Sequence, residues 1–149
     1  MRRKERECAE PSFFNELLTS AQVMIIAFQT ETFPYVIPVN FVFMDGALYV
    51  HSATEGRKLD CLHNAPDVGF SVYELLGIDR EKATTLYSSL YGEGQAHLVR
   101  HDEEKQAALA ALAKKYQSHC PCPIPDAMLK KTAVLKIEIH SLSGKRHLP

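Results

Sequence analysis

Apolar residues recur along this chain with two periods, and the changes between them outline the fold. Tyr35, Ile37, Val39, Phe41 and Phe43 alternate with Val36, Pro38, Asn40 and Val42, the period-two pattern of a strand with two faces. Asp45-Gly46 follows, a pair that favours a tight hairpin into a second strand over Ala47 to His51. Val23 to Phe28 is a continuous apolar run and predicts a buried strand. Val68 to Tyr73, Leu86 to Val99 and Ala133 to Ile139 predict three more. A helical period occurs twice. Phe13, Leu17 and Leu18 share one side of a helix over Ser12 to Ser20, with Ser12 as the expected N-cap and Glu16 one place late for a capping box. Asp102 is expected to cap a helix to about Tyr116, with Leu109, Leu112 and Tyr116 at core spacing. Leu75 to Thr84 and Gln117 to Ile124 follow neither period and are expected to be loops, the first long enough to act as a lid.

Six strands, mostly hairpin-linked, with helices inserted irregularly, predict a mainly β (α+β) domain built on an antiparallel sheet or barrel. A doubly wound α/β fold would alternate more regularly. The length of 149 residues suits one domain, 1–149. A hydrophobic fraction of 46% with a net charge of −1 excludes disorder, and the missing basic excess argues against a general nucleic-acid partner. No apolar run approaches the roughly 20 residues of a membrane span. The Met1-Arg2-Arg3-Lys4 start is followed by no apolar stretch typical of a secretory signal. Cys8, Cys61, Cys120 and Cys122 are too scattered for a disulfide scaffold. The expected location is therefore the cytoplasm.

Three segments carry candidate chemistry. In Tyr35-Val36-Ile37-Pro38-Val39-Asn40-Phe41, a proline inside a strand removes a ladder donor and belongs at an edge or interruption. Backbone groups there are free to bond a flat heteroaromatic ring with polar edges, and Asn40 lies opposite the apolar stripe. Pro38 as a guard on an ordinary edge strand is the plainer alternative. In His51-Ser52-Ala53-Thr54-Glu55-Gly56-Arg57-Lys58, Ser52 and Glu55 have capping-box spacing, which starts a helix near Ala53. Arg57 and Lys58 then oppose the helix dipole, at a cost of a few tenths to about 1 kcal/mol each, unless an anion sits at the helix mouth. The Ser52 and Thr54 hydroxyls, free N–H groups and two cations would make a phosphate site. Alternatively, Glu55 and Asp60 neutralise a solvated helix end. In Tyr87-Ser88-Ser89-Leu90-Tyr91-Gly92-Glu93-Gly94, two glycines share one face, allowing close approach of a backbone or ligand, or relieving barrel curvature.

His119-Cys120-Pro121-Cys122 offers soft metal ligands, but a structural zinc site needs four and no second pair is visible, so no metal is expected. No serine-hydrolase order or phosphate-binding glycine loop is present.

In this order, the three segments resemble the pyridoxamine 5′-phosphate oxidase-related proteins of the FMN-binding split-barrel fold, above all their nitroimidazole-resistance (Nim-type) branch. The resemblance is carried by the Met-Arg-Arg-Lys start, Pro34-Tyr35-x-x-Pro38-x-Asn40-Phe41, Tyr49-x-His51-Ser52-Ala53, Gly56-Arg57-Lys58 and the Tyr87/Ser89/Gly94 strand. It implies a six-stranded antiparallel split β-barrel with a few flanking helices. It also implies FMN as cofactor, with FAD as the alternative flavin. Ile37, Pro38, Val39, Asn40 and Phe41 would lie along the isoalloxazine ring, and His51, Ser52, Ala53, Arg57 and Lys58 would hold the ribityl phosphate. Ser88 and Ser89 would approach from the long strand. The similar proteins are homodimers with the flavin between subunits. Authentic vitamin B6 oxidases end in a motif rich in tryptophan and arginine. This chain has no tryptophan, and Gly144-Lys145-Arg146-His147-Leu148-Pro149 only faintly echoes that motif, so B6 oxidation is not the expected activity.

The resulting expectation is an FMN-dependent oxidoreductase, specifically a nitroreductase for nitroimidazole-like small aromatic compounds. His51 is the candidate catalytic proton donor, since histidine ordinarily titrates near neutrality, with phosphate contact as its other role. Tyr91 and His97 are further candidates. The alternatives are a flavin carrier or sensor without turnover, and a haem protein using His97, His101, His119 or His140.

Overall fold

The computed structural model describes residues 4–116 and 123–148. In chain order the elements are β1 (Glu7–Cys8), α1 (Pro11–Ser20), β2 (Met24–Phe28), β3 (Tyr35–Val39), β4 (Val42–Met44), β5 (Ala47–Ala53), α2 (Arg57–Asn64), β6 (Asp67–Asp79), β7 (Thr84–Leu98), α3 (Asp102–Tyr116), α4 (Asp126–Lys131) and β8 (Thr132–His147), after a 3-10 turn at Lys4–Arg6. The strands form one antiparallel sheet in the order β3-β2-β6-β7-β8-β5-β4, with β1 on β8. Eight strands thus replace the expected six, and no pairing between β3 and β4 closes the sheet.

The two edge strands of this sheet are neighbours in sequence. Only Asn40 and Phe41 separate Val39, which pairs with Met24, from Val42, which pairs with Tyr49. The sheet must therefore curl until its edges come within a two-residue link, which makes a barrel with a split along one side. The sequence pattern predicted one strand over Tyr35 to Phe43. Alternation continues through the link, but the pairing partner changes there. Phe41 is completely buried, and its backbone bonds to α3 in place of a strand: its N–H donates to Tyr116 Oη at 3.0 Å.

The barrel interior holds Met24, Ile26 and Phe28 of β2, Leu48 and Val50 of β5, Phe70 and Val72 of β6, and Leu135 and Ile137 of β8. α1 plugs one end with Phe13, Leu17 and Leu18, as its spacing predicted. Burying a side chain of this size stabilises the fold by about 1.5–3 kcal/mol. A smaller cluster of Ala47, Tyr49, Ala108 and Val134 joins the outside of β5 and β8 to α3. Tyr49 Oη donates to Glu104 at 2.9 Å, and Lys136 pairs with the same carboxylate oxygen at 2.9 Å.

Several local expectations are corrected. Val23 and Ile25 are exposed, so β2 has one buried face rather than two. Glu10, not Ser12, flanks the start of α1, where Pro11 is the first helical residue. Asp102 is the first residue of α3 rather than its cap. α2 starts at Arg57 with Gly56 before it, because the ladder to β8 holds Ser52 and Ala53 in β5 and overrides their capping-box spacing. Leu75 to Thr84 is no lid: it extends the β6–β7 ribbon, and a bulge between Leu75 and Gly77 shifts the alternation that a strand would show. Of Gln117 to Ile124, residues 117–122, including His119, Cys120 and Cys122, lie outside the described residues.

Asp45 and Gly46 both adopt left-handed backbone, φ 52° and 77°, and make the hairpin turn that their sequence predicts. The paired glycines of β7 serve protein packing. A Cβ on Gly92 would lie 2.2 Å from the Phe70 ring, and one on Gly94 2.2 Å from the Glu138 carbonyl oxygen.

Candidate functional site

The split is where strand pairing runs out. β3 pairs only with β2, and the last four residues of β5, Val50 to Ala53, pair only with β8. Both segments keep one backbone edge without a strand partner among the described residues. Such edges need water, a ligand or another chain to satisfy their N–H and C=O groups. Pro38 lies opposite Ile25 on this edge strand, in accord with a proline's place in a sheet.

The end of the split is formed by the segment leaving β5. Gly56 has φ 121°, a conformation that L side chains rarely adopt, and α2 begins at the next residue. The N–H groups of Leu59 and Asp60 bond the Gly56 carbonyl, so those of Arg57 and Lys58 precede the first intrahelical acceptor. Two N–H groups without an intrahelical acceptor, the positive end of the helix dipole and the two cationic residues Arg57 and Lys58 therefore occupy one helix start. The Arg57 guanidinium lies 4.5 Å from the centre of the Tyr35 ring, which ties the start of α2 to the start of β3 across the split. The ring of Tyr35 in turn stacks on Phe28 at 5.8 Å.

The opposite end is fixed by α3. Tyr116 Oη accepts from Phe41 N–H and lies 2.8 Å from the Gln22 carbonyl oxygen and 2.9 Å from that of Phe41. Burial pushes the Tyr116 phenol up, with its bond to Phe41 pulling the other way. Lys115 donates to the Ala21 carbonyl at 2.7 Å and sits 4.2 Å over the Phe41 ring; burial lowers its ammonium pKa. Sequence reading missed both residues as parts of the site. Tyr116 read only as core spacing, and nothing local marks a contact across 75 positions.

The structure gathers most of the candidate residues around the split. Pro38 and Asn40 are exposed, Ile37 and Val39 are half-buried against the core, and the Phe41 side chain is wholly inside. His51 and Ala53 are exposed at the end of β5, while Ser52 between them is 6% exposed. Its hydroxyl has no hydrogen-bond partner among the described residues. Ser88 is placed elsewhere: it is 2% exposed, faces inward, and accepts from Arg146 Nε at 3.2 Å. Arg146 also pairs with Glu16 of α1, so Ser88 belongs to the α1 junction. Ser89 is half-buried on the outer face, opposite Tyr73.

The other candidates lie away from the split. Tyr91 and His140 border an outer groove of about 480 Å³, where Tyr91 Oη donates to Glu93 at 2.8 Å and the Tyr91 phenol pKa is raised by that bond. His97 is exposed beside a smaller groove, and His101 is exposed before α3. Among the described residues, no three His, Cys, Asp or Glu side chains cluster to hold a metal ion, and no helix is long and apolar enough to cross a membrane.

The family model described as pyridoxamine 5′-phosphate oxidase matches residues 13–146, nearly the whole chain. The chain belongs to this family. No curated protein matches the sequence. Among solved structures, this family member is similar to a candidate 5-nitroimidazole antibiotic resistance protein from Bacteroides thetaiotaomicron, at 21% identity and TM-score 0.84, over 93% of this chain and 85% of that one. It is similar to the flavocytochrome Anf3 from Azotobacter vinelandii, at 18% identity and TM-score 0.85, over 100% and 72% of the two chains. It is also similar to a FAD-binding protein from Mesorhizobium loti, at 21% identity and TM-score 0.74, over 96% and 98%. These likenesses establish the pyridoxamine 5′-phosphate oxidase-like split barrel as the fold.

Proposed function

We propose that the protein is a flavin-dependent oxidoreductase that holds FMN in the split and reduces small nitroaromatic compounds of the nitroimidazole class. The observation that carries this reading is the pair of unpartnered strand edges, Tyr35 to Val39 and Val50 to Ala53, ending at the N-terminus of α2. A planar ring with polar edges matches free main-chain N–H and C=O groups, and a phosphate matches the helix end. Ser52, largely buried in β5, lies between the two.

Each residue then has a part. Arg57 and Lys58, with their own N–H groups, hold the phosphate. The backbone from Ile37 to Asn40 orients the ring, and Phe41 with Val39 keeps water from its inner side. Bound flavin supplies the electron transfer, and the protein orients the ring and tunes its surroundings. His51, exposed at the end of β5, carries the proton on Nε2 or Nδ1 for a substrate stacked over the ring. The likeness to the Bacteroides resistance protein supports the nitroaromatic substrate class.

The functional unit in this reading is a homodimer. Ile25, Val36, Tyr73, Leu75, Ile78 and Tyr91 share the outer face of β2, β3, β6 and β7 and are 42–63% exposed. An apolar face of this kind marks an interaction site. A second copy seated on it would bring its Ser89 toward the split of the first. Light scattering on the eluted protein should give twice the chain mass.

The deciding experiment is a visible absorption spectrum of the purified protein before and after FMN is added and the sample desalted. Retained flavin bands, bleached by a reductant and restored by a nitroimidazole, with the amine formed only when excess reductant re-reduces the flavin to supply the six electrons that each nitro group takes up, are the expected result. Retained flavin with no reaction toward nitroaromatic acceptors would leave a carrier or sensor. No retained flavin and no saturable quenching of FMN fluorescence would overturn the reading, and a Soret band on haem addition would replace it.

A further inference from the structure

The outer groove of about 480 Å³ beside Tyr91 draws its polar groups from three strands. Asp67 opens β6, Tyr91 and Glu93 lie on β7, and His140 lies on β8. Ala27 of β2 and Pro34, just before β3, form its apolar side.

Strand pairing places these side chains. β8 carries one extra residue here: Glu93 pairs with Ser141 and Gly94 with Ile139, which leaves His140 without a partner. A bulge of this kind re-aims a side chain, and His140 borders the groove. Gly69 lies opposite Glu93, and a Cβ on it would be 3.7 Å from the Tyr91 ring, so the ring lies over the glycine. Tyr91 Oη donates to Glu93 at 2.8 Å, which ties the two side chains together. Asp67 lies opposite Gln95 and accepts from its amide at 2.9 Å. Asp67 and Glu93 are thus diagonal neighbours on one face, about 7–8 Å apart by sheet geometry.

Both carboxylates are held by neutral donors, an amide and a phenol. Among the described residues neither pairs with a cation, and no lysine or arginine lines the groove. Like charges so placed repel, and a cation between them reverses that sign. The Tyr91 ring, 49% exposed, offers its π face to the same cation. A carboxylate with two oxygens matches a planar, forked N–H donor better than a point charge. The imidazole of His140 adds a further hydrogen-bonding group. The volume lies within the usual range for small-molecule sites, roughly 300–1,000 Å³.

We propose that this groove binds a small organic cation, with an amidinium or guanidinium group between Asp67 and Glu93 and a flat apolar body against Tyr91 and Pro34. The site does not depend on the flavin reading. Tyr91 also belongs to the apolar outer face, so the groove lies at the margin of the surface assigned to a second copy.

The test follows backbone amide NMR signals of the isotope-labelled full chain as benzamidine is added, with benzamide as its neutral counterpart. Benzamidine is expected to shift the signals of Gly69, Tyr91 and Glu93 saturably, with a dissociation constant of about 1 mM or less and at least about tenfold tighter than benzamide. Asp67→Asn and Glu93→Gln, near-isosteric changes at exposed positions, should each weaken benzamidine about twofold to fivefold and leave benzamide unaffected. Added salt should weaken benzamidine alone, and this series on wild type carries the test without any substitution. No saturable shift, benzamide bound equally well, or an affinity indifferent to salt and to both carboxylates would overturn the site. Shifts confined to Arg57, Lys58 and β3 would put the cation in the split and overturn it as well.

Discussion

The guanidinium of Arg57 lies 4.5 Å from the centre of the Tyr35 ring. This contact joins a helix start to an edge strand that it does not pair with, and it spans the split at the point assigned to the cofactor phosphate. Without an anion, Arg57 and Lys58 oppose the dipole of α2, at a few tenths to about 1 kcal/mol each. The cation–π contact returns about 0.5–1 kcal/mol for Arg57.

Replacing both Arg57 and Lys58 by Ala should therefore barely move the melting temperature of the apo-protein. Flavin affinity should fall by two orders of magnitude or more, since each charge-assisted bond to the phosphate contributes about 1.5–3 kcal/mol. Thermal melts and fluorescence titrations of the same preparations make the comparison. Equal losses in both would make these cations structural and remove the phosphate site.

Tyr116→Phe removes one hydroxyl that serves Phe41 N–H and the Phe41 carbonyl at the link between β3 and β4, and the Gln22 carbonyl before β2. Leaving the Phe41 N–H without a partner should cost about 1–3 kcal/mol of stability, read from urea unfolding. Because the link sets the spacing of the split, flavin should also bind more weakly. Unchanged stability would mean that water takes over the bond.

Two strand glycines should differ in their response to alanine. In Gly94→Ala the new Cβ would meet the Glu138 carbonyl oxygen at 2.2 Å, a backbone atom that moves only if β8 moves. A loss of about 1–3 kcal/mol or more is expected. In Gly69→Ala the nearest atom is in the Tyr91 ring, at 3.7 Å, so stability should stay within about 0.5 kcal/mol. Melting temperatures of the two variants test the contrast.

The α3 contact predicts an acid-side loss of stability. The bond from Lys136, then that from Tyr49, holds the Glu104 carboxyl below its usual value of 4.5. A lowered carboxylate contributes stability above its unfolded pKa and loses it as pH falls through the folded value. Melting temperature should drop between about pH 5 and pH 3 more steeply in wild type than in Glu104→Gln. Parallel curves would show that Glu104 adds nothing on folding.

Much of this protein can be read from local pattern. The helical spacing of Phe13, Leu17 and Leu18, the left-handed pair Asp45-Gly46, and the alternation in Tyr35 to Phe43 each depend on residues within a turn or a strand of one another. Their geometry is set by near neighbours, so their order along the chain carries it. The edge strand with Pro38 and the adjacent cations Arg57 and Lys58 were legible for the same reason.

What tertiary structure decided are the places where partners come from far along the chain. Alternation runs unbroken through Asn40-Phe41, yet β3 pairs with β2 and β4 with β5, and only sheet closure requires that change. Ser52 and Glu55 have the spacing of a cap, but pairing of Ser52 with Ala133 keeps it in a strand and moves the helix start to Arg57. Strand alternation puts Ser88 and Ser89 on opposite faces, and only the tertiary structure makes the face of Ser88 the inner one, where Arg146 bonds it and reaches Glu16 of α1. The sequence by itself determined most of the elements and the candidate chemistry placed on them. The closing of the sheet determined the split, because a pairing between distant segments leaves no period in the residues that make it.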